Sequence, residues 1–93
     1  MKVTPAILKQ EFIGLAAKVV RSRNSFYEGI NGKVIDETKN TLTILHRGKK
    51  KVIVKEISLF HFTLPDGTVI EVDGKSIVGR PEDRLKKRIR RLW

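Results

Sequence analysis

The sequence predicts a mainly β protein: a small six-stranded antiparallel barrel with a short N-terminal helix and a basic C-terminal helix. From Leu15 to Val78 apolar and polar residues alternate at a period of two, with β-branched residues in every segment. Turn residues in "DETKN", "RGKK" and "LPDGT" cut that stretch into short pieces. At both ends the spacing becomes helical. With 93 residues the chain has enough for one domain and a modest core, so 1–93 is read as a helix over 4–13, a barrel over 15–78 and a helix over 81–93.

Thr4 and Pro5 form an N-cap and first-turn pair, because the threonine hydroxyl accepts an orphan N–H and proline has none to satisfy. Ile7, Leu8, Phe12 and Ile13 then recur on one helical stripe, and Gly14 supplies the left-handed stop. Strands are predicted near 15–21, 31–36, 41–46, 51–56, 58–64 and 68–73, with a further short one around Ser76 to Val78. "DETKN" reads as a type I turn closed by a left-handed residue, "RGKK" as a tight hairpin at Gly48, and "LPDGT" as a Pro-Asp-Gly turn. Short strands packed this closely leave too little surface for two sheets, and curling into a barrel removes their edges. Alternation places Leu42, Ile44, Val52, Val54, Phe60, Phe62, Ile70 and Val72 inside. In "PEDRLKKRIRRLW", Leu85, Ile89, Leu92 and Trp93 return to helical spacing, with Pro81 in the first turn and Glu82 and Asp83 at the positive end of the dipole.

Twenty Lys plus Arg against ten Asp plus Glu give a net charge of +10, which points to a polyanionic partner and to nucleic acid first. The absence of cysteine excludes a disulfide framework and a thiolate zinc site. "AILKQEFI" interrupts its apolar residues with Lys9, Gln10 and Glu11, so it does not serve as a secretion signal, and a cytoplasmic location is expected. No apolar run has the length to span a membrane.

Asp36 and Glu37, with the distant Glu82 and Asp83, are the carboxylates a nuclease would need for magnesium, but each already serves a turn or a helix first turn. His46 ends a strand and His61 lies between Phe60 and Phe62 on the opposite face, neither beside a Ser, Cys or acid in sequence. No catalytic or metal-binding residue is therefore assigned. The basic clusters carry more. "HRGKKK" gathers Arg47, Lys49, Lys50 and Lys51 at a hairpin tip, and "RLKKRIRR" holds Arg84, Lys86, Lys87, Arg88, Arg90 and Arg91 with no acid among them. A solvated face would mix both signs. A membrane-surface role for the last helix, whose apolar side ends in Trp93, is disfavoured by its short length. The loop "RSRNSFYEGIN" interleaves Arg21, Arg23 and Asn24 with Phe26 and Tyr27, as single-stranded RNA sites do, although aromatics tucked onto a barrel read equally well.

"GINGKVIDETKNTLTI" followed by "VGRPEDRLKKR" resembles the archaeal ribonuclease P protein component 1 family over nearly the whole chain. The matching stretches are Gly32 to Val34, Asp36 to Thr38, Asn40 to Leu42 and Arg80 to Arg84. The resemblance implies an Sm-like six-stranded barrel with helical flanks. It also implies a non-catalytic subunit of an endoribonuclease whose RNA carries the active site and uses magnesium, and which removes the 5′ leader of precursor tRNA. No cofactor is expected on the chain itself. The implied partners are ribonuclease P RNA, precursor tRNA and the zinc-ribbon ribonuclease P subunit, the isolated chain being a monomer. RNA contacts are assigned to Arg21, Arg23, Arg47, Lys49, Lys50, Lys51, Arg80, Arg84, Lys87, Arg88 and Arg91, and partner contacts to Ile7, Leu8, Phe12 and Ile13. Asn40 is first a turn residue, with base contact as the other reading. A stand-alone Sm-like RNA chaperone and a metal-dependent nuclease are the alternatives.

Overall fold

A computed structural model describes residues 12–79 and the backbone of 90–91. Six antiparallel strands follow one another: β1 (Ala16–Ser22), β2 (Asn31–Glu37), β3 (Thr41–His46), β4 (Lys49–Val54), β5 (Ser58–Thr63) and β6 (Val69–Asp73). A two-residue β7 (Arg90–Arg91) pairs with β6, and the sheet runs β4-β3-β2-β1-β5-β6-β7. The predicted strand at Ser76 to Val78 is instead a 3-10 turn, Gly74–Ile77, opened by the Asp73 carboxylate accepting from the Lys75 N–H. The predicted helices lie outside the described residues except at their ends. Phe12 and Ile13 precede Gly14, which has φ +95 and donates its N–H to Val34 O. At Arg90–Arg91 the chain is extended, not helical as expected, because the outer edge of β6 offers an unfilled backbone ladder.

Two bulges shape the sheet. In β1 the register shifts between Val19 and Arg21: Val19 faces Phe60 in the core, whereas Arg21 pairs with Leu59 and turns outward. In β2 it shifts between Val34 and Asp36, so Asp36 lies opposite Thr43 while Glu37 lies opposite the buried Leu42 and points in. One extra residue thus re-aims every side chain after it. The 3-10 turn Lys55–Ile57 after β4 packs against Gly74, where a Cβ would collide with the Lys55 carbonyl. That backbone-to-backbone approach closes the side of the curled sheet that no ladder spans. A Cβ at Gly32, whose φ is +150, would likewise strike the Leu45 carbonyl.

The core comprises Phe12, Val19, Val34, Leu42, Ile44, Ile53, Phe60, Phe62, Ile70, Val72 and Ile77, all fully buried, with Ala17, Ile30 and Leu64 beside them. Phe12 stacks on Phe62 with centroids 4.4 Å apart, and Phe60 lies 5.5 Å from Phe62. Strand β4 departs from expectation. Leu42 pairs with Ile53 and Ile44 with Lys51, so Ile53 is inside, Val54 is half-buried and Val52 is exposed. The inward phase of β4 holds the half-buried Lys51 and continues into the following 3-10 turn at Lys55, which is fully buried.

Candidate nucleic-acid interface and the clasp beneath it

The β2–β3 connection is built around Lys55. Its Nζ donates to Glu37 Oε2 at 2.8 Å, Thr38 O at 2.7 Å, Lys39 O at 3.2 Å and Gly79 O at 3.2 Å. Burial alone pushes the ammonium down to about 8, still above neutrality, and the carboxylate and three carbonyls satisfy the charge that remains. The Lys55 N–H donates to Asn40 O, the Gly79 N–H to Lys39 O and the Phe12 N–H to Glu37 Oε1. The buried cation and its carboxylate partner therefore tie the "DETKN" turn, Gly79 and Phe12 of the N-terminal stripe into one clasp. The turn is closed by Thr38 and Thr41, whose hydroxyls lie 2.6 Å apart, with the Thr38 hydroxyl also accepting from the Thr41 N–H. Its expected left-handed residue is absent: among the described non-glycine residues only Arg47 has a positive φ. Asn40 is exposed.

Arg47 and Gly48, at φ 52 and 77, make the two-residue turn between β3 and β4, both left-handed as a type I′ hairpin requires. Holding an arginine there costs about 1 kcal/mol relative to glycine or asparagine. Arg47, Lys49 and Lys50 are exposed at this tip and Lys51 is half-buried. Arg21 and Arg23 are exposed and share an open cleft of about 390 Å³ with Lys75, Glu56 and Asp73. Among the described residues, the ion pairs are Lys55 with Glu37 and His61 with Glu71, so they engage none of these surface cations. Arg80, Arg84, Lys87 and Arg88 lie outside the described residues, and Arg91 is placed only by its backbone partner Ile70.

The candidate partner surface changes. Ile7 and Leu8 lie outside the described residues, and Ile13 is 40% exposed, but Phe12 is a core residue and is withdrawn from the interface. His61 also gains a partner: its Nε2 lies 3.1 Å from Glu71 Oε1 across the β5–β6 pair. The two lie on consecutive strands, and the β5–β6 register sets them directly opposite each other. His46 Nδ1 sits 3.2 Å from the Asn31 N–H and 2.9 Å from its carbonyl, bridging β3 to β2. Among the described residues no group of three His, Cys, Asp or Glu could hold a metal ion, and no helix is long and apolar enough to cross a membrane.

A small curled antiparallel sheet with a basic hairpin, locked by a buried lysine, is the class of domain these observations define. The family model for ribonuclease P/MRP, subunit p29, matches residues 5–87, and the chain belongs to that family. It is 43% identical over 91 residues to ribonuclease P protein component 1 of Methanothermobacter thermautotrophicus, covering 96% of this chain and 98% of the relative. To the proteins of the same name from Methanocaldococcus jannaschii and Thermofilum pendens it is 47% and 48% identical, covering 98% and 100% of this chain and 97% and 100% of theirs. A solved structure described as Mth11, a homologue of human RNase P protein Rpp29, superimposes with a TM-score of 0.61 at 43% identity, covering 82% of this chain and 99% of that one. The chain is a ribonuclease P protein subunit, working with the enzyme's RNA and other subunits. Lys55, which no sequence motif marks, joins segments that carry the family resemblance.

Proposed function

We propose that this subunit binds the catalytic RNA and precursor tRNA mainly through phosphates, and so assists removal of the 5′ leader without contributing a catalytic residue. The observation that carries the reading is the set of exposed cations, Arg21, Arg23, Arg47, Lys49 and Lys50, left outside the described ion pairs on a chain of net charge +10. Cations outside the ion pairs of the described residues are available to phosphates, and neutralising those phosphates lets a folded RNA pack more closely. Arg80, Arg84, Lys87, Arg88 and Arg91 extend the same chemistry along the chain. Magnesium belongs to the RNA in this scheme. Ile7, Leu8 and Ile13 face the zinc-ribbon subunit, and the isolated chain is a cytoplasmic monomer.

The test is reconstitution of precursor-tRNA cleavage with cognate catalytic RNA. The full chain should be inert alone and should lower the magnesium the RNA requires, whereas cleavage by the pure chain that is lost in Asp36→Ala would establish a nuclease instead.

A further inference from the structure

We propose that Phe26 is a stacking platform for an unpaired base of the RNA, with Arg21, Arg23 and Lys75 holding the adjoining phosphates. The proposal rests on the RNA-binding reading above and adds a single-stranded element to it. Phe26 is 89% exposed, more than any other large hydrophobic residue described. It does not hang from a loose loop. The Ser25–Tyr27 3-10 turn is capped by Asn24, whose Oδ1 accepts from the Phe26 N–H at 3.0 Å, while Asn24 O accepts from the Tyr27 N–H. The Asn24 N–H in turn donates to Ser22 Oγ, and Tyr27 packs against the core. One aromatic of the pair thus anchors the turn and the other is held in water, which settles how this loop divides its two rings.

The surroundings favour a base over a protein pocket. Protein anchors are ringed by other exposed apolar side chains, but the neighbours of Phe26 in the turn are Arg23, Asn24, Ser25 and Glu28 together with Tyr27, which is turned onto the core, and the exposed Ile13, Leu45 and Val52 lie on other elements. The bulge in β1 turns Arg21 outward, and the Arg23 N–H donates to Ile57 O, which fixes the backbone beside the cleft. The cleft also holds the carboxylates of Glu56 and Asp73, the latter accepting from the Lys75 N–H while Glu28 accepts from the Ser22 N–H, so its three cations outnumber its two acids. A ring on a hydrogen-bonded turn that follows Arg21 and Arg23 of the cleft directly in the chain matches what single-strand binders use: a π-face for the base and charge for the adjoining backbone.

The full-length protein would be titrated with a single-stranded oligonucleotide and with a duplex of equal length. Phe26→Ala should weaken single-strand binding about 5- to 150-fold, the range one base–aromatic stack accounts for, and leave duplex binding unchanged. In a Trp93→Phe background, Phe26→Trp should restore affinity and report stacking as fluorescence quenching by the single strand only. Equal single-strand affinity in wild type and Phe26→Ala would overturn the platform while leaving RNA binding intact. Loss of association with another protein subunit, with RNA binding untouched, would overturn it in favour of a protein anchor. A wild-type chain that bound neither nucleic acid would remove the RNA-binding reading itself.

Discussion

The Lys55 ammonium lies 2.8 Å from the Glu37 carboxylate, with the lysine side chain wholly out of solvent and the glutamate 2% exposed. Eighteen residues separate them in sequence, and the bulge in β2 turns Glu37 inward to meet the phase of β4 that continues into Lys55. Removing either partner strands the other as a buried charge, which costs about 3–5 kcal/mol. Glu37→Gln and Lys55→Ala should each lower Tm by roughly 10 °C or more for a domain of this size. Scanning calorimetry checks this, and a change of a degree or two would show the clasp to be ornamental.

The same lysine predicts a pH effect with a definite sign. In the folded chain burial holds it near 8, against an ordinary value of 10.5. Between those limits the unfolded chain binds the extra proton, so unfolding free energy should rise as pH rises through the window and level off above it, the gain being offset in part because a neutral lysine leaves Glu37 as the buried charge. Below the folded value the cost of burying the charge is present in full. Urea midpoints measured across pH 8 to 10.5 should climb more in wild type than in Lys55→Met; parallel profiles would contradict the assignment.

Phe12 and Ile13 should separate folding from docking. Phe12→Ala deletes a ring stacked on Phe62 and should cost about 3–5 kcal/mol, so loss of partner binding in that variant would say nothing about an interface. Ile13→Asp alters a side chain 40% exposed and should leave Tm within a few degrees while weakening association with the zinc-ribbon subunit. Titration calorimetry of the pair checks it, and full affinity in Ile13→Asp would place the partner elsewhere.

Arg47 trades stability for charge. Arg47→Asn relieves a positive φ and should stabilise the hairpin by up to about 1 kcal/mol while weakening RNA binding by removal of one phosphate contact. Thermal melts and filter binding on the same sample should move in opposite directions. A variant that is more stable and binds RNA unchanged would show that Arg47 is only a turn residue.

The strand positions were legible because alternation and turn chemistry agreed over most of the sheet. β4 was not, since Val52, Ile53 and Val54 fill both phases and the correct one places Lys51 and Lys55 inward, which a polarity pattern rejects. The bulges at Val19/Arg21 and Val34/Asp36 were equally hidden, because one inserted residue leaves no mark on composition yet reverses the face of all that follows. The basic hairpin could be read directly from lysine density. The clasp could not, being a product of bulged register between separate segments, and the His61–Glu71 pair emerges only once the β5–β6 register is fixed.

If exposed cations hold RNA by its phosphates, binding must weaken with salt as counterions are released. With about five phosphates neutralised, log affinity should fall against log salt with a slope of about −3.5 to −4.5. Replacing Arg47, Lys49 and Lys50 together by alanine should make that slope shallower by about 2 to 3 and weaken cognate and scrambled RNA alike. An unchanged slope in the triple variant, with affinity intact, would contradict the claim.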